Sequence, residues 1–445
     1  MSQANFTRRG FLKGAAALGG LTILPSGLYG QKGKRVSPNG KLQLACIGVG
    51  GRGTAAVNAC KREKIVALCD VDMRMAEESF VKYPDAGRFT DYREMMVQLG
   101  DQIDGVTISG PDHVHFAHAM AAVKAGKHVY VEKPLCQTIA QTRALAAAAK
   151  AAGVKTQLGN QGHSQNAIRD FKELVQAGVM GDLTEIQAWT DRPAGWWPQG
   201  RQQLPRAEAV PPTLDWDLWR NGVEAEYSSD YLPFKWRGWT RWGTGALGDM
   251  ACHILDPVFY AFDLGMPDWV EGEATGGSQW SYPTQSTVRY HFPAREGRPE
   301  FILTWKDGKN SKPERPDVLE DGREMANESG GTFAMGTRNI AMSNSHASMV
   351  EILPHVKHEE AMAKKGDDKL RRVKDADHFG DWFAAIRGEV KEASSHFGYS
   401  AKLNELVLLG SIAQRVPGVK LHWDEAKGAF KDNDLANHLV KSSVV

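Results

Sequence analysis

Cysteine is scarce in this 445-residue chain: there are five, Cys46, Cys60, Cys69, Cys136 and Cys252, and no C-x-x-C pair. So few, so scattered, exclude a disulfide scaffold and make a structural zinc ribbon a poor fit. An excess of one charge is also missing. Lys+Arg number 54 and Asp+Glu 53, for a formal net charge of +1. No run of like charges stands out, so the electrostatic footprint of a nucleic-acid binder is absent. Long hydrophobic runs are missing too: the one apolar stretch near the N-terminus is too short to span a bilayer. That excludes a polytopic membrane protein and gives no stable membrane anchor. There is no internal repeat. The remainder is ordinary for a globular chain, 42% hydrophobic and 24% charged, which excludes wholesale disorder. The length predicts two or three domains.

The first thirty residues read as an address. Thr7-Arg8-Arg9-Gly10-Phe11-Leu12-Lys13 precedes an Ala/Gly/Leu-rich run to Leu24, a charged segment followed by a short apolar one. Paired arginines followed by Phe-Leu-Lys resemble a twin-arginine export signal. This predicts residues 1–30 as a signal peptide, the export machinery as a partner, and a periplasmic destination. No lipobox cysteine accompanies it.

Residues 42–47 form an apolar strand pattern running into Gly48-Val49-Gly50-Gly51-Arg52-Gly53 and an Ala-rich stretch. G-x-G-x-x-G between strand and helix lets backbone approach a pyrophosphate at a helix N-terminus. A second strand, residues 65–69, ends in Asp70, spaced to accept hydrogen bonds from a ribose and to repel a 2′-phosphate. NAD is therefore favoured over NADP; a helix N-cap is the competing role for Asp70. The alternation continues through strands at 105–109 and 128–131, predicting a doubly wound parallel sheet. Ser109, His113, His115 and Glu132-Lys133 fall at the carboxyl ends of its strands, where such sheets bind ligands.

The glycine loop, Asp70, Pro111-Asp112-His113-x-His115 and Glu132-Lys133-Pro134 together resemble the Gfo/Idh/MocA (glucose–fructose oxidoreductase/inositol dehydrogenase) family. The resemblance implies an NAD-binding Rossmann domain over 41–158. It implies a C-terminal α/β domain over 159–445, built on a large, mostly antiparallel sheet whose faces form homodimers or homotetramers. It also implies action on sugars or polyols, with Gly48, Gly50, Gly51, Arg52, Gly53, Asp70, Ser109, His115, Glu132 and Lys133 around the cofactor. Asp249 and His253, four residues apart and so on one helix face, resemble the family's D-x-x-x-H pair. With Lys133 they form the expected catalytic set. Histidine suits removal of a hydroxyl proton. Asp249 would orient His253 or stabilise its cation, and Lys133 would stabilise alkoxide character.

For the substrate, the segment Gly159-Asn160-Gln161-Gly162-His163 offers Asn160, Gln161 and His163, against a simple capping loop. Eight of the thirteen tryptophans lie between Trp189 and Trp242, among six prolines. That predicts a long irregular excursion, with Trp196-Trp197 as a sugar platform and the other rings as packing. No histidine group has metal spacing, although Asp249, His253 and His163 are a set a fold could gather around a metal. Outside the inner membrane a free nicotinamide pool is expected to be poor. A retained, internally recycled NAD follows, serving either a carbohydrate oxidoreductase or a glycosidase that oxidises, eliminates and rehydrates its substrate. Lys133 favours the first, because the family's glycosidases of the second kind lack that lysine. A non-enzymatic exported sugar-binding protein is the third reading.

Overall fold

The computed structural model describes residues 40–295, 297–327 and 330–444. The export segment lies outside the described residues. Six strands, β1 (Gln43–Ile47), β2 (Lys64–Cys69), β3 (Gly87–Phe89), β4 (Gly105–Ile108), β5 (His128–Val131) and β6 (Thr156–Leu158), form one sheet. Its order is β3-β2-β1-β4-β5-β6 and every pairing is parallel. The order reverses beside β1, which opens a crevice at the carboxyl ends of β1 and β4. The strands are short and nearly all buried because helices cover both faces. Three of the crossover helices begin at side-chain caps: Asp72 for Met73–Lys82, Asp91 for Tyr92–Leu99 and Thr138 for Ile139–Ala152.

The second sheet adds β7 (Leu183–Thr190), β8 (Trp269–Thr275), β9 (Gln285–Phe292), β10 (Phe301–Asp307), β11 (Gly331–Gly336), β12 (Ile340–Asn344), β13 (Val350–Leu353), β14 (Lys420–Asp424) and β15 (Ala429–Phe430). Its order is β13-β12-β11-β7-β10-β9-β8-β14-β15, antiparallel except for β7 beside β10. β9 and β10 alternate strictly. Val288, Tyr290, Phe292, Phe301, Leu303 and Trp305 point into a core shared with helices Gly245–Ile254 and Phe397–Arg415. The other face is half-exposed and mixed in polarity.

The division at residue 158 is not a clean spatial boundary. The helix His378–Arg387 returns to the first sheet, where Trp382 and Phe383 pack with Leu42, Leu44 and Tyr130. Phe397 joins the core on the other side of that sheet. One local pattern cannot reveal which of two cores a late amphipathic helix will cover.

The Trp-rich excursion forms a small core of its own. Trp216, Trp219, Trp236, Trp239 and Trp242 bury each other with Leu214, Tyr227 and Tyr231. The excursion is clipped to the Rossmann half by backbone: Met73 N–H to the Thr213 carbonyl at 2.9 Å and Asp215 N–H to the Val71 carbonyl at 2.9 Å. The His113 ring adds a 2.8 Å bond to the Trp219 carbonyl, and Thr244 Oγ1 donates to buried Asp112 at 2.6 Å.

Candidate active site

A cleft of about 700 Å³ runs from the glycine loop to the helix Gly245–Ile254. At one end, Gly48 has φ +74° and packs so tightly that a Cβ there would lie 2.8 Å from the Gly110 nitrogen. A Cβ on Gly53 would lie 1.8 Å from the Gly48 carbonyl oxygen. Only glycine permits that turn. The helix Gly53–Cys60 that follows has no side-chain cap; the N–H groups of Gly53, Thr54 and Ala55 bond back to the carbonyls of Gly50, Gly51 and Arg52, which tightens the turn. Asp70 lines the cleft, and its carboxylate accepts N–H bonds from Val49 (2.8 Å), Gly50 (3.3 Å) and Asp72 (3.0 Å). It therefore braces the loop as well as facing the cleft. The helix N-cap is Asp72 instead. Burial raises the Asp70 carboxyl above its ordinary range, opposed by those three N–H groups. Ser109 Oγ is buried without a partner beside the loop. An orphan hydroxyl and a glycine cradle fit a dinucleotide; of the carboxylates at that end, Asp72 and Asp91 are paired with Arg74 and Arg93, and Asp70 with backbone N–H groups.

At the other end Lys133, directly after β5, places Nζ 2.6 Å from Asp249 Oδ1 and 2.8 Å from the Asp249 carbonyl oxygen. Arg192 holds Asp249 Oδ2, and Arg237 Nε stands 3.3 Å from Oδ1. Burial pushes the Asp249 carboxyl up, but Lys133, Arg237 and Arg192 outweigh it and hold the group well below the carboxylate range. His253 lines the same space, and its buried Nδ1 has no hydrogen-bond partner. Burial first, then the charge of Lys133 and the neighbouring His346, hold His253 well below the ordinary histidine range. It is a neutral imidazole at pH 7, able to accept a proton. Glu132 accepts from Gln161 Nε2 at 3.1 Å and from Arg52 Nε at 3.4 Å.

The fold thus brings Gly48, Gly50, Gly51, Arg52, Asp70, Ser109, Glu132, Lys133, Asp249, His253 and Trp196 to one cleft, with Gly53 behind the loop. Other expectations are corrected. Asp249 makes no bond to His253, because Lys133 and the two arginines occupy its oxygens. Asn160 and His163 are buried away from the cleft. Asn160 Nδ2 donates to Asp256 at 3.1 Å, and His163 Nδ1 lies 3.0 Å from both Asp256 oxygens. Tyr399 OH completes that network at 2.5 Å. His115 does not line the cleft either. It bridges the carbonyls of Pro134 (2.7 Å) and Gly110 (2.9 Å), tying the loops after β5 and β4 together. Trp197 is 5% exposed and packs against Phe234, whereas Trp196 is 45% exposed in the cleft. Asp249, His253 and His163 do not gather as metal ligands. Among the described residues the acidic grouping is Asp170, Glu173 and Asp368, already paired with Lys365 and Arg372.

Three cleft residues were not legible as site residues. Arg192 stands just past β7, Arg237 sits inside the aromatic run, and His346 follows β12. The His346 ring centroid lies 4.8 Å from that of His253. None sits in a local motif; each is delivered by a long-range connection.

Residues 42–160 match the Gfo/Idh/MocA profile described as an oxidoreductase-family NAD-binding Rossmann fold, and residues 164–293 match its C-terminal alpha/beta domain. Glucose-6-phosphate 3-dehydrogenase of Bacillus subtilis is 23% identical over 224 residues, covering 50% of this chain and 54% of its own. A glycosyl hydrolase family 109 protein of Solibacter usitatus is 31% identical over 202 residues, covering 40% of this chain and 44% of its own. The chain thus spans about half the length of these curated relatives. Among solved structures, the WlbA dehydrogenase from Bordetella pertussis, in complex with NADH and UDP-GlcNAcA, superposes with TM-score 0.59 at 15% identity, over 86% of this chain and 99% of that one. This last likeness is one of fold.

Proposed function

The chain belongs to the Gfo/Idh/MocA oxidoreductase family, and from that premise we propose that it is an NAD-dependent carbohydrate oxidoreductase. Its substrate is the secondary hydroxyl of a sugar, polyol or glycoside. The observation that carries the reading is the juxtaposition in one cleft of the glycine loop, the Lys133 ammonium paired to Asp249, and neutral His253. Bound NAD supplies the hydride acceptor. The protein's part is proton and charge management. His253 takes the hydroxyl proton as general base. Lys133, fixed by a carboxylate and a carbonyl, stabilises the developing alkoxide without reorganising. Asp249 is a positioning residue for Lys133, not for His253. The half-exposed Trp196 ring offers an apolar face to a sugar.

Retention of the cofactor through many turnovers belongs to the same proposal. Trp219, Asn221, Gly222 and the segment Leu232 to Arg237 line the same cleft as Gly48, Gly50 and Gly51. The clipped aromatic excursion is thus part of the cofactor wall, which favours slow exchange. The Asp70 carboxylate at that end of the cleft favours NAD over NADP. Export by the twin-arginine machinery to the periplasm, signalled by Arg8-Arg9, supplies the reason for retention. The half-exposed face of the second sheet is the surface a homodimer or homotetramer would cover.

The second reading, a glycosidase acting by transient oxidation, elimination and hydration, is favoured by the likeness to the family 109 glycosyl hydrolase. Lys133 favours the first. The test is aglycone release from α- and β-glycosides by freshly purified protein with no cofactor added. No release, with hydride transfer to an added sugar acceptor, is expected. Release that disappears in His253→Ala establishes the glycosidase instead. Absence of any bound or bindable NAD refutes both.

A further inference from the structure

The reaction end of the cleft carries more positive charge than its chemistry uses. Arg52 and Glu132 pair off. Lys133, Arg192 and Arg237 then share a single carboxylate, Asp249. Three further titratable groups lie close by. Burial keeps His253 and His346 neutral. Buried Asp112, bonded to Thr244, has its carboxyl pushed up to about 7. Among the described residues placed around Asp249, three cations thus face one ionised carboxylate, or two when Asp112 ionises. Lys133 is committed to the reacting oxygen, and the two arginines are not.

Their geometry is that of a receptor. Arg192 is largely buried, its side chain 13% exposed, and its Nε has no hydrogen-bond partner. Its guanidinium lies 4.0 Å from the centroid of the Trp196 ring, in the cleft. The Arg237 guanidinium lies 4.2 and 4.3 Å from the ring centroids of Phe234 and Trp236. Aromatic faces fix both planes and exclude water, and fixed guanidinium forks match a carboxylate bidentately. A neutral polyol would leave the excess charge uncompensated in a partly desolvated site.

We propose that the substrate is an acidic sugar, a hexuronate or its glycoside, whose carboxylate is bound by Arg192 and Arg237 beside the Trp196 face. This rests on the reading of the cleft as a carbohydrate oxidoreductase site. The experiment is calorimetric titration of the NAD-loaded full chain with D-glucuronate, D-galacturonate and their methyl glycosides, each against its neutral hexose counterpart, and with glucose 6-phosphate. A hexuronate is expected to bind at least about tenfold tighter than its neutral counterpart, as one charge-assisted contact provides. The preference should weaken with added salt, disappear in Arg192→Gln and Arg237→Gln, and survive in part in Arg192→Lys. If either Gln variant fails to fold, the wild-type preference and its salt dependence decide. Equal binding of acid and neutral sugars, or no binding of any hexuronate, overturns the proposal. Glucose 6-phosphate binding tighter than every hexuronate assigns the arginines to a phosphate and overturns it as well. Neutral sugars oxidised without any acid preference refute this inference and leave the oxidoreductase reading standing. Acid-selective binding without hydride transfer does the reverse.

Discussion

Replacing Lys133 by methionine tests the division of labour in the cleft. The substitution keeps the length of the side chain and removes its charge. Asp249 loses its 2.6 Å partner but keeps Arg192 and Arg237. It therefore stays ionised, and the loss of stability should sit at the low end of the ~3–5 kcal/mol typical of breaking a buried pair. The glycine loop is untouched, so NAD affinity should not change. Turnover should fall by roughly 10²–10³, the loss typical when one preorganised group at a developing oxyanion is removed. A second effect separates a chemical role from a structural one. The Lys133 charge is the largest influence after burial holding His253 below its ordinary range. Removing it raises the proton affinity of His253, and only the neutral ring can act as base. The acid limb of the kcat–pH profile must therefore move to higher pH in Lys133→Met. The assay is stopped-flow nicotinamide absorbance on NAD-loaded protein across pH, with a denaturant melt alongside. A kcat within threefold of wild type, or a reduced kcat with the acid limb unmoved, refutes the reasoning.

Three further outcomes follow from the same structure. His253→Ala should abolish turnover while equilibrium dialysis still finds NAD bound; wild-type turnover would remove His253 from the mechanism. Trp242→Ala, which hollows the aromatic excursion at a ring 0% exposed, should cost about 3–5 kcal/mol and speed cofactor release, read as NAD lost on gel filtration. Burial pushes the imidazoles of His113 and His378 down to about 4. The unfolded chain binds their protons first, so the stability they contribute is full above pH ~6.5 and is lost as pH falls towards 4. Each accounts for up to about 3 kcal/mol. Urea midpoints that do not fall over that range, or that fall equally in His378→Gln, would contradict this.

The cofactor half was legible because its information is local. Glycines at fixed offsets, a strand ending in Asp70 and the Glu132-Lys133-Pro134 run each occupy one βα turn, and a parallel sheet brings those turns to one edge. The alternation in β9 and β10 was readable for the same reason, since period two shows in seven or eight residues. The pair Asp249 and His253 was also visible, sharing one helix face. What the sequence alone determined, then, is the fold class, the nucleotide loop and the identity of three charged or titratable groups.

How those groups are wired was decided only by tertiary structure. Four-residue spacing suggested that Asp249 serves His253, but Lys133, 116 positions away, takes the carboxylate instead. Asn160 and His163 looked like ligand-facing polar residues, yet Asp256, distant in the chain, claims both in the interior. Adjacent Trp196 and Trp197 part company, one into the cleft and one into packing. Arg192, Arg237 and His346 carry no local signature, since a lone cation or imidazole becomes part of a site only when another element's charge or ring lies within a few ångströms. Periodicity reports which face a residue occupies. Which partner it meets there depends on how separate elements dock, and here that docking decides which side chain takes the Asp249 carboxylate and which rings and cations share the cleft.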